Sequence, residues 1–190
     1  MTPVDVVLIG RNEGARLVAG LASLKGAARR VVYVDSGSTD DSVAAARTAG
    51  AEVVMLDMST PFTAARARNA GFEALAQAGP EPEFVQFIDG DCSLVEGWVD
   101  TARAALERDA SLGLVTGWRR ETRPDISVYH GLAEREWLQP AGPIRVCGGD
   151  MMVRADAFRA IGGFDGALIS SEDEDFCLRL AQGGWSLLRL

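Results

Sequence analysis

FVQFIDGDCSL, residues 84–94, runs through a mostly apolar segment and ends in Asp89 and Asp91 on either side of Gly90. The apolar part reads as a strand buried on both faces, the type found in a mainly parallel sheet. In such sheets the loops at the carboxyl edge form the crevice that takes ligands, and Asp89 and Asp91 fall at that edge. In extended chain, residues two apart project to the same side, and a glycine between them lets the backbone approach a ligand closely. Both carboxylates are therefore expected to converge on one cation. Hard oxygen donors with few protein contacts suit Mg2+ or Mn2+ completed by substrate phosphates. Taken alone, Asp-Gly-Asp is more often a surface turn, so its surroundings decide.

Outward from this stretch, short apolar runs alternate with longer amphipathic segments. That is the pattern of an α/β fold, Rossmann-like, with a mostly parallel central sheet flanked by helices. Residues 4–9 read as the first strand. Asn12 is placed to cap a helix whose Leu17, Val18, Leu21 and Leu24 recur at helical spacing, ending at Gly26. Residues 31–34 read as the second strand, followed by DSGSTDDS, where Thr39 or Asp40 can cap an alanine-rich helix that Gly50 ends. Residues 53–56 give a third strand, 63–78 a helix despite Gly71, and GPEPE at 79–83 the turn into the opening stretch. Beyond it come a helix over about 94–108, a strand at 114–116 and a polar segment, WRRETRPD, that reads as a mobile loop. The last third holds CGGDMMVR, a short helix near 155–161, a helix in SSEDEDFCLRL capped by Ser170 or Ser171, and a final strand, SLLRL. Without a closing element after it, the chain reads as a truncated or minimal version of its fold.

At 190 residues and 47% hydrophobic, the chain can bury one sizeable core. A formal charge of -8 argues against a broad basic footprint for nucleic acid or anionic lipid. Lys25 is the single lysine beside 18 arginines, which limits any mechanism that needs a catalytic lysine. Cys92, Cys147 and Cys177 form no CxxC pair, so neither a disulfide framework nor a zinc site is suggested, and a cytoplasmic setting fits. The apolar run at 6–9 is too short for a signal peptide and no stretch approaches membrane-spanning length, so any membrane contact is expected to be peripheral.

Two further acidic features stand out. Asp35 closes the second strand, where a carboxylate can accept bonds from a nucleobase or ribose, while Thr39, Asp40 and Asp41 read as capping residues. In SSEDEDFCLRL, acids crowd a first helical turn, where the helix dipole favours them. Asp175 and Arg179 are spaced to pair and Phe176 and Leu180 to face the core, which leaves Glu172 and Asp173 for function. Asp173 could take the proton from an attacking hydroxyl, with Glu172 binding that hydroxyl's carrier. His130, in an expected loop, reads as exposed or structural, and Trp118, Trp137 and Trp185 as packing residues before sugar contacts.

Four stretches in order, VVLIGRNEGARLVAGLASL, VVYVDSGSTDDS, FIDGDC and GGFDGALISSEDEDFCLRL, resemble the GT-A fold family 2 glycosyltransferases, inverting enzymes that use nucleotide-diphospho-sugars. The resemblance covers nearly the whole chain. It implies a single catalytic domain over 1–190, with a nucleotide-binding half to about residue 92 and an acceptor-side half from about 93. It implies that Asn12 and Asp35 serve the nucleotide, with Asp35 on the base. It puts Asp89 on the ribose, Asp91 with Asp89 at the Mn2+ or Mg2+, and Asp173 as catalytic base. Arg68 and Asn69 match a segment that meets the nucleotide, and Gly148 and Gly149 a pair beside the donor sugar. The position before Asn12, often aromatic in the family, is Arg11, whose guanidinium could stack on the base instead. The implied donor is a UDP-sugar before a GDP-sugar, the acceptor a saccharide or lipid-linked hydroxyl, and the setting cell-envelope or polysaccharide biosynthesis, with no nucleic-acid partner. Two other readings stay open: a sugar-phosphate nucleotidyltransferase, which generally adds lysine near the phosphates, and a non-catalytic nucleotide-sugar-binding module.

Overall fold

Strands with apolar side chains at every position need cover on both faces, and the alternation of those side chains decides which helix covers them. The computed structural model describes residues 1–190. Its elements are β1 (Val4–Gly10), α1 (Ala15–Ser23), β2 (Arg30–Asp35), α2 (Ser42–Thr48), β3 (Glu52–Met55), α3 (Ala64–Gln77), β4 (Phe84–Asp89) and α4 (Trp98–Arg108). There follow β5 (Leu112–Thr116), α5 (Val128–Trp137), β6 (Gly142–Pro143), β7 (Met151–Arg154), α6 (Ala155–Ala160), α7 (Glu172–Gln182) and β8 (Ser186–Arg189). The sheet order is β3-β2-β1-β4-β7-β5-β8-β6. The first four strands are parallel, β7 runs antiparallel between β4 and β5, β8 is parallel to β5, and β6 is antiparallel to β8.

On one face Val7, Ile9, Val85, Phe87 and Val153 join the large core under α3, α6 and α7. On the other, Val6, Leu8, Tyr33 and Ile88 pack with α1, and Phe84, Leu112 and Met152 with α4. Gly71 shows why a weak helix former is kept inside α3. A Cβ there would lie 2.4 Å from Val7 Cγ1, so the close approach of helix to sheet requires glycine. No helix is long and apolar enough to cross a membrane.

Several expectations are corrected. Asn12 does not cap α1: its φ is 57°, the cap position falls to Gly14, and its Oδ1 accepts from Thr39 N at 2.7 Å. The cap position of α2 is Asp41, not Thr39 or Asp40, although Asp40 Oδ1 accepts from Ser42 N at 3.0 Å. Ser171 occupies the cap position of α7, one of the two residues expected there, but with φ 60° its side chain makes no capping bond. The helix after the opening stretch starts only at Trp98, because Gly97 at φ 80° breaks the turn before it. His130 lies in α5, not in a loop; no residue of that helix is buried, so it carries no apolar periodicity to read. Trp118 is exposed, whereas Trp185 packs against the large core.

At the opposite end of the sheet from the Asp-Gly-Asp turn, Asp5 is fully buried and hydrogen-bonds Arg29 and Arg30, with Arg30 Nη2 2.7 Å from Oδ2. Burial alone would raise this carboxyl, but the two arginines outweigh it and hold it below its ordinary value. Its stabilisation is therefore present above the ordinary aspartate range, about pH 4, and is lost as pH falls through the lowered folded value. Asp5→Ala is expected to lower stability by about 3–5 kcal/mol, read from urea unfolding midpoints at neutral pH.

Candidate active site

The parallel strands β3, β2, β1 and β4 end at one edge of the sheet, and antiparallel β7 begins there. Asp35 closes β2, Asp89 closes β4 and Asp150 immediately precedes β7, so three carboxylates meet that edge. The carboxyl end of β5 joins them, with Thr116 Oγ1 donating to the Asp150 carbonyl at 2.8 Å.

Alternation then selects the neighbours of Asp89. Val85 and Phe87 face the α3 side, and Asp89, two further on, meets Arg68 of α3. Arg68 is 3% exposed; Nη2 donates to Asp89 Oδ1 at 2.8 Å and Nη1 to Glu172 Oε1 at 2.7 Å. Its guanidinium also lies 5.4 Å from the centre of the Phe164 ring. Phe164 is held in turn by Asn69, whose Oδ1 accepts from Phe164 N at 2.9 Å and whose Nδ2 donates to Phe164 O at 2.8 Å. One arginine thus ties α3 to the end of β4 and the start of α7, in the planar forked geometry that guanidinium provides. Gly149 makes this possible: a Cβ there would lie 2.1 Å from Arg68 Nη2. Gly148 does the same for a second arginine, Arg119, whose Cζ is 2.8 Å from where its Cβ would be.

Asp91 does not follow Asp89. Extended geometry stops at Asp89, and Cys92 N donates back to Asp89 O at 3.0 Å, turning the chain through Gly90 and Asp91. The same-side argument for the two carboxylates needs a strand through both and fails here. The Asp91 side chain is 47% exposed, with Arg16 Nη1 at 3.8 Å from Oδ2.

Asp35 is fully buried and both its oxygens are engaged. Oδ1 accepts from Tyr33 Oη at 3.1 Å, and Oδ2 from the backbone N–H of Gly37 at 3.0 Å and Ser38 at 2.8 Å. Asn12 stitches the resulting loop to the one after β1, since its own N–H also donates to Ser38 Oγ at 2.9 Å. Both residues shape the two loops beside Asp89.

At the start of α7, Glu172 Oε1 pairs with Arg68 Nη1 at 2.7 Å. Asp173 is half-buried and accepts only from Glu174 N, at 3.0 Å. Burial and the adjacent Glu172 charge raise its carboxyl above the ordinary value, against an opposing pull from Arg68. Asp175 and Arg179 pair at 2.7 Å, and Phe176 and Leu180 are fully buried, as their spacing predicts.

Arg119 and Asp150 escaped the sequence reading. Arg119 lies in the segment read as a mobile loop, and Asp150 follows two glycines with no pattern of its own. Arg119 Nε donates to Asp150 Oδ2 at 2.7 Å, and Asp150 Oδ1 accepts from Asp89 N at 3.1 Å. Burial raises the Asp150 carboxyl, with Arg119 opposing and the Asp89 charge adding. Their signal is a partnership across 31 residues, which no local pattern carries.

Five carboxylates, Asp89, Asp91, Asp150, Glu172 and Asp173, face three arginines, Arg16, Arg68 and Arg119, which leaves the site short of positive charge. No group of three or more His, Cys, Asp or Glu side chains is placed to hold an ion unaided. Oxygen-only donors of this kind fit a hard divalent cation whose remaining positions come from a substrate. A cavity of about 650 Å³ lies elsewhere, between α1 and α2 at the opposite sheet edge.

Comparison with known proteins matches residues 5–162 to the glycosyl transferase family 2 model. The chain belongs to glycosyl transferase family 2. It is 30% identical over 196 aligned positions to the pre-mycofactocin glycosyltransferase of Mycobacterium tuberculosis, which covers 95% of this chain and 39% of that relative. The chain thus spans about two fifths of that protein's length. Among solved structures, it superposes on the mannosyltransferase PcManGT of Pyrobaculum calidifontis, in complex with GDP-Man and Mn2+, with TM-score 0.74 at 20% identity, covering 100% of this chain and 55% of the other. It superposes on glucosyl-3-phosphoglycerate synthase of M. tuberculosis, in complex with Mn2+, UDP and glucosyl-3-phosphoglycerate, with TM-score 0.67 at 22% identity, covering 100% and 70%. These structures share the GT-A fold with this family 2 chain.

Proposed function

We propose that this family 2 domain moves a sugar from a nucleotide-diphospho-sugar, a UDP-sugar before a GDP-sugar, to a saccharide or lipid-linked hydroxyl with inversion at the anomeric carbon. One observation carries the reading: Arg68 joins Asp89, at the sheet edge, to Glu172, beside the half-buried Asp173. A donor contact and a candidate base are thereby fixed relative to each other, as a single displacement requires. Solved relatives of the same fold that hold GDP-Man or UDP together with Mn2+ support a donor of this class.

In this reading the loops organised by Asn12 and Asp35 hold the nucleoside, and Arg68 keeps the Asp89 carboxylate turned toward the ribose. Asp91, exposed and loosely paired, would hold Mn2+ or Mg2+ with Asp89, and the bound cation would supply charge neutralisation at the departing diphosphate. Asp173 takes the acceptor proton; a carboxylate with a raised pKa is a stronger base at neutral pH than an ordinary one. Gly148 and Gly149, beside the donor sugar in this reading, leave room for Arg119 and Arg68 against Asp89. Acceleration comes from alignment and charge placement, with no covalent enzyme intermediate.

The test incubates the protein with UDP-glucose or GDP-mannose, Mn2+ and saccharide acceptors, with and without a chelator, and identifies the phosphate product. Chelator-sensitive release of nucleoside diphosphate is expected. Pyrophosphate exchange would instead indicate a nucleotidyltransferase, and absence of any turnover alongside intact donor binding would indicate a binding module.

A further inference from the structure

Arg119 is held by more partners than a loop residue needs. Nε donates to Asp150 Oδ2 at 2.7 Å, while Nη2 is buried without a formed hydrogen bond and stands 3.5 Å from Asp89 Oδ2. Its guanidinium lies 5.8 Å from the Trp137 ring of α5, and Gly148 leaves the space it occupies. Asp150 completes the link by accepting the backbone N–H of Asp89 at 3.1 Å.

Asp89 is therefore met from three directions: Arg68 hydrogen-bonds Oδ1, Arg119 Nη2 stands 3.5 Å from Oδ2 as an ion pair, and Asp150 accepts its backbone N–H. A carboxylate held at one oxygen can still rotate; a second cation on the other oxygen fixes its plane. The Nε and Nη2 edge of one guanidinium bridges two like-charged carboxylates, which a lysine ammonium cannot match in shape. We propose that Arg119 and Asp150 are positioning residues that set the orientation of Asp89, so that donor affinity depends on the segment after β5 and on α5. The proposal rests on the reading of Asp89 as a donor contact.

The experiment titrates UDP and GDP calorimetrically, in the presence of Mn2+, into wild type, Arg119→Met, Arg119→Lys and Asp150→Asn. Outer partners of a ligand-binding carboxylate typically change affinity about 10–100-fold. Arg119→Met is expected to weaken binding by that much with unchanged stoichiometry, and Arg119→Lys to recover only part of it. A merely structural role would lower the binding stoichiometry, through a smaller folded fraction, and leave the affinity of the rest intact; that result overturns the proposal. Should Arg119→Met not fold, Asp150→Asn decides, because it keeps an acceptor for Asp89 N–H but lacks the charge that holds Arg119. Wild-type affinity in Asp150→Asn would overturn the positioning role alone. Failure of wild type itself to bind either diphosphate would overturn the donor reading and this proposal with it.

Discussion

Asp173→Asn is expected to bind nucleoside diphosphate as wild type does and to lower turnover by about 10²–10⁴-fold, the usual contribution of a positioned general base. The amide is close in size and can still accept from Glu174 N, as the carboxylate does at 3.0 Å, so the start of α7 should hold its shape. The pH profile gives an independent check. Asp173 acts ionised, and burial with the neighbouring Glu172 charge raises its pKa. Turnover should therefore fall as pH drops through a value above the ordinary aspartate range of about 4, and the residual rate of Asp173→Asn should lack that limb. A variant retaining more than half of the wild-type rate would remove Asp173 from the chemistry.

Gly149→Ala should damage both stability and donor binding. The new Cβ would lie 2.1 Å from Arg68 Nη2 and 3.1 Å from Asp89 Oδ2. A surface arginine would swing aside, but Arg68 is 3% exposed and held at both ends by Asp89 and Glu172. Displacing it breaks two ion pairs and leaves buried charge without a partner, a loss of about 3–5 kcal/mol. Urea unfolding of Gly149→Ala, Arg68→Met and the double variant tests this. The two changes share one contact, so their effects should fall short of additivity. A loss below about 1 kcal/mol in Gly149→Ala, or full additivity, would mean that the arginine has room to move.

How much of this was legible in the sequence depended on how local each signal is. Strands such as FVQFID and the helix around Phe176 and Leu180 announce themselves through period, and the structure places them accordingly. Helix α5 does not, because none of its residues is buried. The extended geometry expected through Asp89 and Asp91 ends for a local reason too: one hydrogen bond, Cys92 N to Asp89 O, turns the chain two residues early for the same-side rule. The Arg68 partner of Glu172 carries no local signal because it lies 104 residues away. The Arg119 and Asp150 pair was invisible for the same cause, since an antiparallel β7 next to β4 is what brings Asp150 to the Asp89 backbone. Motif positions were readable; the ion pairs that join them belong to the topology.

The most direct measurement is calorimetric binding of UDP and GDP, with and without Mn2+, to wild type and Asp91→Ala. Exposed and only loosely paired with Arg16, Asp91 can be truncated with little effect on the fold. The donor-site account predicts Mn2+-dependent binding in wild type, tighter for UDP, that Asp91→Ala loses while keeping its melting temperature. Binding that is equal with and without Mn2+, or equal in the two proteins, would contradict a metal-assisted donor site at Asp89-Gly90-Asp91.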